Sequence, residues 1–459
     1  MRYIRLLHTI QTAISSGFLI AAFVICLSLS PNSAHAMNIQ KVKSPGGIEA
    51  WLVEEHGVPL IAMRFGFKGG TTQDPKDKTG LAHFVSGMLD EGAGSLKSEE
   101  FQERVEDLAV KMSYSAGRDV FTGSFTTLSE RRDEAFELLR LALNEPRFDR
   151  DAVDRIRGQI IAGLKFDAND PNKVAAKEWF KLAFAGHPYS RAAKGDEDSL
   201  KAIASEDLKN YTSRIFAKDN LKISVVGDID ADTLGGLLDK VFGKLPEKSD
   251  LISVPEAAPP YGPKRKIIQM KVPQSVAQFG HGGVKRKDKD FVAAYVLNHI
   301  IGGGGFASKL MEEVREKRGL AYSVYSYLSP MDYGAAYIGG VATQNNAVGK
   351  TLDVIQGVLS HMAQDGPTKD ELENSIRYLT GSYALRFDTS SKIASQLLWI
   401  QIEDLGSDYI EKRNGLIEAV TMDIIRKVAK RLIKADGLIV TIVGQPENMT
   451  ESSAPGQPG

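Results

Sequence analysis

The sequence predicts an α+β protein made of two homologous domains, each a mixed β-sheet packed against helices, and three observations carry that prediction. Short apolar strands alternate with long amphipathic stretches, two strand-plus-glycine motifs recur at nearly one offset, and a proline-rich stretch lies between the copies. PLIAMRFGFKGG at 59–70 resembles QSVAQFGHGG at 274–283 in its strand core and terminal glycine pair. LKISVVG at 221–227 likewise matches LIVTIVG at 438–444. Gly69 and Gly282 lie 213 positions apart, Gly227 and Gly444 217, so the offsets nearly agree.

Each element follows from its own pattern. Strands are expected at 60–67, 121–127 and 221–226, then at 267–270, 335–343 and 438–443. Residues 133–143, 149–164 and 369–385 carry apolar side chains at helical spacing. Asp149 fits an N-cap or a first-turn acid of the second of these helices. The simplest layering sets the helices against one side of each sheet. VPEAAPPYGP at 254–263 resists a regular helix and reads as an exposed linker.

The first residues predict export. Arg2 and Arg5 precede an apolar segment at 17–29, and Ala34-His35-Ala36 gives the small-x-small pattern cut by signal peptidase, so residues 1–36 are read as a cleaved signal peptide leading to the periplasm. Ile25 before Cys26 is too bulky for a lipoprotein signal, and a membrane-anchored form is the alternative. Cleavage removes the one cysteine of the chain, which excludes thiolate catalysis. A net charge of -1 over 459 residues offers no basic field for nucleic acid. The domains are then 37–250 and 264–450, joined by a linker at 251–263 and followed by a disordered tail at 451–459.

GLAHFVSGMLDEG at 80–92 has the outline of a zinc-peptidase helix without the atoms to hold zinc. Ligands four residues apart share a helix face, but Gly87 follows His83 at that spacing and Ser86 stands where a catalytic carboxylate is needed. By itself His83 reads as a packed or hydrogen-bonded histidine. The remaining histidines after residue 36, at 56, 187, 281, 299 and 361, form no pair with the spacing of a local zinc motif. Asp90 and Glu91 read as surface or capping acids.

Taken together, Gly69-Gly70, GLAHFVSGML, His187-Pro188-Tyr189, Val226-Gly227, the stretch GGGGFASKLMEEVREKRGLAYSV from Gly302 and Ile442-Val443-Gly444 resemble the M16 (insulinase-like and processing-peptidase-like) metallopeptidases. That resemblance implies two M16/LuxS-like metallohydrolase-type domains forming a clamshell around a peptide chamber. It places His83 at the first zinc ligand, Ser86 at the water-activating glutamate, Gly87 at the second histidine and Gly163 at the third ligand, with Gln159 there if the register shifts. Neither glycine has a ligand atom, and a neutral amide is a poor zinc ligand.

Arg315 and Tyr322 match a pair that the family uses to contact substrate near the zinc. Arg318 reads as a solvent-facing cation, Gly302 to Gly305 as a flexible turn lacking the Lys-Ser/Thr of a phosphate loop, and Lys309 stands where arginine is usual. Loss of the ligands with retention of the pair implies a non-catalytic, substrate-binding subunit of a periplasmic heterodimeric zinc peptidase. Its partner is an HxxEH-containing M16 subunit that carries the Zn2+, its substrate a peptide or unfolded polypeptide, and Arg315 and Tyr322 act in trans. No cofactor is expected in this chain and no nucleic acid as partner, and the isolated chain is also able to homodimerise. The alternative is a catalytically inactive periplasmic peptide-binding or assembly scaffold.

Overall fold

A computed structural model of the chain describes residues 37–451. The signal-peptide expectation and the tail beyond Glu451 lie outside the described residues.

Apolar runs build two mixed sheets. The first takes β1 (Gln40–Lys43), β2 (Glu49–Glu54), β3 (Leu60–Lys68), β6 (Lys111–Ala116), β7 (Val120–Leu128) and β8 (Leu221–Gly227), in the order β1-β2-β8-β3-β7-β6. A small hairpin of β4 (Gly92–Ala93) and β5 (Leu96–Lys97) stands apart. The second sheet takes β9 (Lys264–Gln269), β10 (Gln274–Gly282), β11 (Ala321–Met331), β12 (Gly334–Gln344) and β13 (Ile439–Gly444), in the order β11-β12-β10-β13-β9. Beyond β1 the two orders are the same, and the parallel pairs, β2 with β8 and β9 with β13, occupy matching places. Gly227 (φ +147°) and Gly444 (φ +152°) end equivalent strands. A Cβ on either would collide with a neighbouring strand, at Leu60 or Ser275, so glycine is required at both. Duplication is therefore visible in topology as well as in sequence.

Helices cover both faces of each sheet, which corrects the one-sided layering. On one face of the first sheet Ile61, Met63, Phe65 and Phe67 enter a core with the helices Arg132–Asn144 and Ala231–Phe242. Its other face, carrying Ala62, Gly66 and Ser224, receives the helix Ser390–Ile402 from the second half. The Ser224 hydroxyl donates to Ala394 O at 2.7 Å and the Gln401 amide to Ile223 O at 2.8 Å. In return the helix Pro171–Ala183 of the first half lies on the second sheet. There the Thr441 hydroxyl donates to Ala175 O at 2.9 Å and the Trp179 indole to Ile439 O at 3.0 Å. Strands buried on both faces lose the alternation that would have announced this arrangement.

Other differences are local. Asp149 stands at the N-cap of the helix Arg150–Asp167, yet its carboxylate pairs with Arg147 (2.6 Å) and bonds no helix N–H. The helix expected at 369–385 ends at Gly381, and a 3-10 turn Tyr383–Phe387 follows. The proline-rich stretch has no helix, but it is strapped down where an exposed linker was expected. Val254 is buried, Ala257 N donates to Tyr333 O at 2.7 Å, and His187 Nε2 lies 2.8 Å from Pro255 O. Tyr189 joins the halves, donating to Asp119 at 2.8 Å and accepting from Tyr333 N at 2.9 Å.

Candidate functional site

The helix Leu81–Ser86 folds because Leu81, Ala82, Phe84 and Val85 enter the core, and because Asp74 caps it. The Asp74 carboxylate accepts from Gly80 N and Ala82 N, each at 2.9 Å, while burial pushes its pKa up to about 7. His83 is half-buried, and its ring makes no hydrogen bond among the described residues. Desolvation, and then the ammonium of Lys194, lower its basicity. Lys194 itself pairs with Asp167 at 2.7 Å.

The other zinc positions fail individually. Ser86 spends its hydroxyl on His83 O at 2.7 Å, the back-bond of a residue closing a helix. Gly87 is the C-cap, and a Cβ there would meet Ile156 at 3.5 Å. Gly163 is exposed, with nothing within 4 Å of the place a Cβ would occupy, and Gln159 is exposed on the same helix. Glu91 is held by Arg155 and Ser98, which makes it structural. Among the described residues no group of three or more His, Cys, Asp or Glu side chains is placed to hold a metal ion. One imidazole beside an ammonium does not fit zinc.

The Arg315 region is built differently. Lys309 pairs with Glu312 and Glu371 (2.8 Å each), Lys317 with Glu312 (2.8 Å) and Glu313 (2.6 Å), and Arg318 with Glu313 (2.5 Å). Burial alone would make Lys309 less basic, but its two carboxylates outweigh that and raise it to about 12. Arg315 takes no acid among the described residues. Its guanidinium lies between two rings, 4.7 Å from the centroid of Phe306 and 4.8 Å from that of Tyr322. Tyr322 is 77% exposed and Phe306 65%, so neither belongs to the core. Arg315 is therefore not salt-bridged among the described residues, and Tyr322 is not a core tyrosine. Gly302 is no flexible turn: it lies within the π-helical turn His299–Gly303, and a Cβ on it would come within 2.6 Å of Ser326 N in β11.

Arg315 and Tyr322 are brought together, as are His83, Ser86 and Gly87. No hydrogen bond, ion pair or ring contact joins the two groups among the described residues. Sequence reasoning missed what surrounds them. Tyr325 and Tyr327 continue the exposed face of β11 with rings stacked 6.3 Å apart. The period-2 spacing of Tyr325 and Tyr327 on an edge strand was the available signal, while Tyr322 is set apart by the register shift between Ala321 and Val324. Arg118 stacks on Phe180 at 3.6 Å, and nothing in the local sequence foretold that.

The comparisons with known proteins agree with this geometry. Residues 54–196 match the model for insulinase (peptidase family M16), and residues 202–379 match the one for the peptidase M16 inactive domain. The chain is an M16/insulinase-family metallopeptidase-fold protein. A crystal structure described as the peptidase M16 inactive domain from Pseudomonas fluorescens superposes with a TM-score of 0.84 at 28% identity, over 91% of this chain and 100% of that one. A Helicobacter pylori protease structure gives 0.81 at 18% identity, over 89% and 100%, which speaks to the fold. Among curated relatives, the non-peptidase homolog YmxG of Helicobacter pylori is 28% identical over 74% of this chain and 78% of its own length. The uncharacterized zinc protease YmxG of Bacillus subtilis is 24% identical over 82% and 94%. This M16 chain thus resembles proteins described in both ways.

Proposed function

We propose that this M16 protein is the non-catalytic, substrate-binding subunit of a heterodimeric zinc peptidase, exported by its N-terminal signal and acting in the periplasm. The observation that carries the reading is the asymmetry within one chain. Ser86, Gly87 and Gly163 supply no metal ligand, while half-buried Arg315 and exposed Tyr322 stand together without an acid partner among the described residues. Zinc belongs, on this reading, to an HxxEH-bearing M16 partner. The role of the present chain is to bind and orient. Arg315 presents a forked donor to a peptide carbonyl, and Tyr322 donates toward the oxygen that gains charge as an amide is cleaved. An extended peptide can also add to a sheet edge, and β6 and β11 are the matching edges of the two sheets.

The test is affinity recovery of the chain with whatever M16 partner it holds, followed by peptide cleavage with the wild-type chain and with R315A/Y322F. Hydrolysis that needs both subunits and collapses in the double variant is the expected result. Full hydrolysis by the double variant rejects the mechanism, and recovery of an assembly without peptidase activity favours a scaffold.

A further inference from the structure

A cleft of about 530 Å³ opens between the C-terminal end of the helix Arg150–Asp167, the helix Pro171–Ala183 and the segment from Arg191 to Glu197. Its wall is apolar where Leu164, Val174 and Phe180 line it, and largely charged elsewhere. The charges do not balance. Each acid on its lining is already used: Asp167 by Lys194 (2.7 Å), Glu178 by Lys266 (2.5 Å), Glu197 by Lys201 (2.7 Å), and Asp196 as an N-cap bonding Ser199 N (2.9 Å). Arg118, Lys165, Lys173 and Lys177, by contrast, have no acid within ion-pair distance among the described residues.

Arg118 is the informative member of the set. Its guanidinium lies over the Phe180 ring, 3.6 Å from the centroid, and its side chain makes no hydrogen bond among the described residues. Burial lowers its basicity, and the charge of neighbouring Asp119 only partly offsets this, with no acid within ion-pair distance among the described residues. A guanidinium fixed on a ring keeps its forked edge free for a carboxylate, which is the arrangement used for planar, bidentate recognition.

We propose that this cleft is a specificity subsite for an acidic residue of the bound peptide, an aspartate or glutamate flanked by apolar side chains. Its carboxylate pairs with Arg118, and Lys165, Lys173 and Lys177 supply the surrounding positive field. The apolar neighbours of that acid rest on Leu164, Val174 and Phe180. This inference rests on the peptide-binding reading above and adds the class of peptide.

Two labelled peptides, identical apart from one glutamate replaced by glutamine in an apolar context, are titrated into the mature chain, and binding is read by fluorescence anisotropy. The glutamate peptide should bind about 10-fold more tightly at low salt, and the preference should shrink as salt rises. R118Q should erase the preference, so that the two peptides bind alike. K173Q/K177Q, on an exposed helix face, should reduce it severalfold, and this variant keeps the test decisive if R118Q fails to fold. Equal binding of the two peptides by the wild-type chain, or an undiminished preference in R118Q, overturns the subsite and leaves the peptide-binding reading intact. Failure of both peptides to bind overturns both readings.

Discussion

The Leu81–Ser86 helix and the Arg315–Tyr322 segment differ in where their polar groups are spent. Around His83 they are turned inward: Ser86 bonds the His83 carbonyl, Asp74 caps the helix, and Glu91 holds Arg155. Around Arg315 the neighbouring cations are neutralised by Glu312, Glu313 and Glu371, yet the one arginine on the aromatic face is left over. A structural arginine is normally paired or hydrogen-bonded, because its desolvation is otherwise uncompensated. On the proposed reading, the contrast teaches that the ligand positions around His83 and the Arg315–Tyr322 pair are free to diverge independently within one fold.

The largest effect expected from breaking this contrast is on hydrolysis by the proposed two-subunit complex. Removal of both donors in R315A/Y322F should lower kcat/KM by about 100-fold or more. H83A/S86A in the same assay should stay within about twofold of wild type, since neither group reaches substrate on this reading. A large loss in H83A/S86A would dissolve the distinction between the sites.

Acid should then separate the histidines of the two halves. His281, in β10, is fully buried against Tyr337, and burial lowers its pKa to about 4. Below its ordinary value near 6.5 the unfolded chain takes up a proton that the folded chain refuses. Stability is therefore lost as pH falls from about 6.5 towards 4, by roughly 3 kcal/mol in total. H281Q should flatten that part of a pH series of urea midpoints. His83 is shifted in the same direction, by desolvation and by Lys194. K194Q should move its NMR titration midpoint upward, and a midpoint that does not move would separate Lys194 from His83.

A pair of glycine substitutions is expected to give opposite signs. G302A places a methyl against the backbone of Ser326 and should destabilise by about 1–3 kcal/mol. G163A meets open space on an exposed helix and should stabilise by about 0.5–1 kcal/mol. Thermal or urea unfolding reads both. Stabilisation by G302A would show that the retained motif is not under packing constraint.

The duplication was legible in the sequence because Gly227 and Gly444 answer a local backbone demand, which leaves the same letter in both copies. The failure of the zinc positions was legible too, since it rests on which atoms glycine and serine lack. Much of the fold's closure was not. Thr441 and Ser224 read as polar positions in apolar strands, and only the folded chain shows each hydroxyl bonding a helix from the opposite half. The strands β6 and β11 were passed over because their edge positions leave alternating side chains exposed.

What the sequence determined by itself was local: strand cores, helix faces, turn glycines and the presence or absence of ligand atoms, each set within a few residues along the chain. What the tertiary structure decided was which charges are left without partners. Pairing of Lys309 with Glu371, stacking of Arg118 on Phe180 and exchange of helices between the sheets join residues dozens to hundreds of positions apart. Electrostatic and packing partners are chosen by distance in space, and the linear pattern carries no record of it.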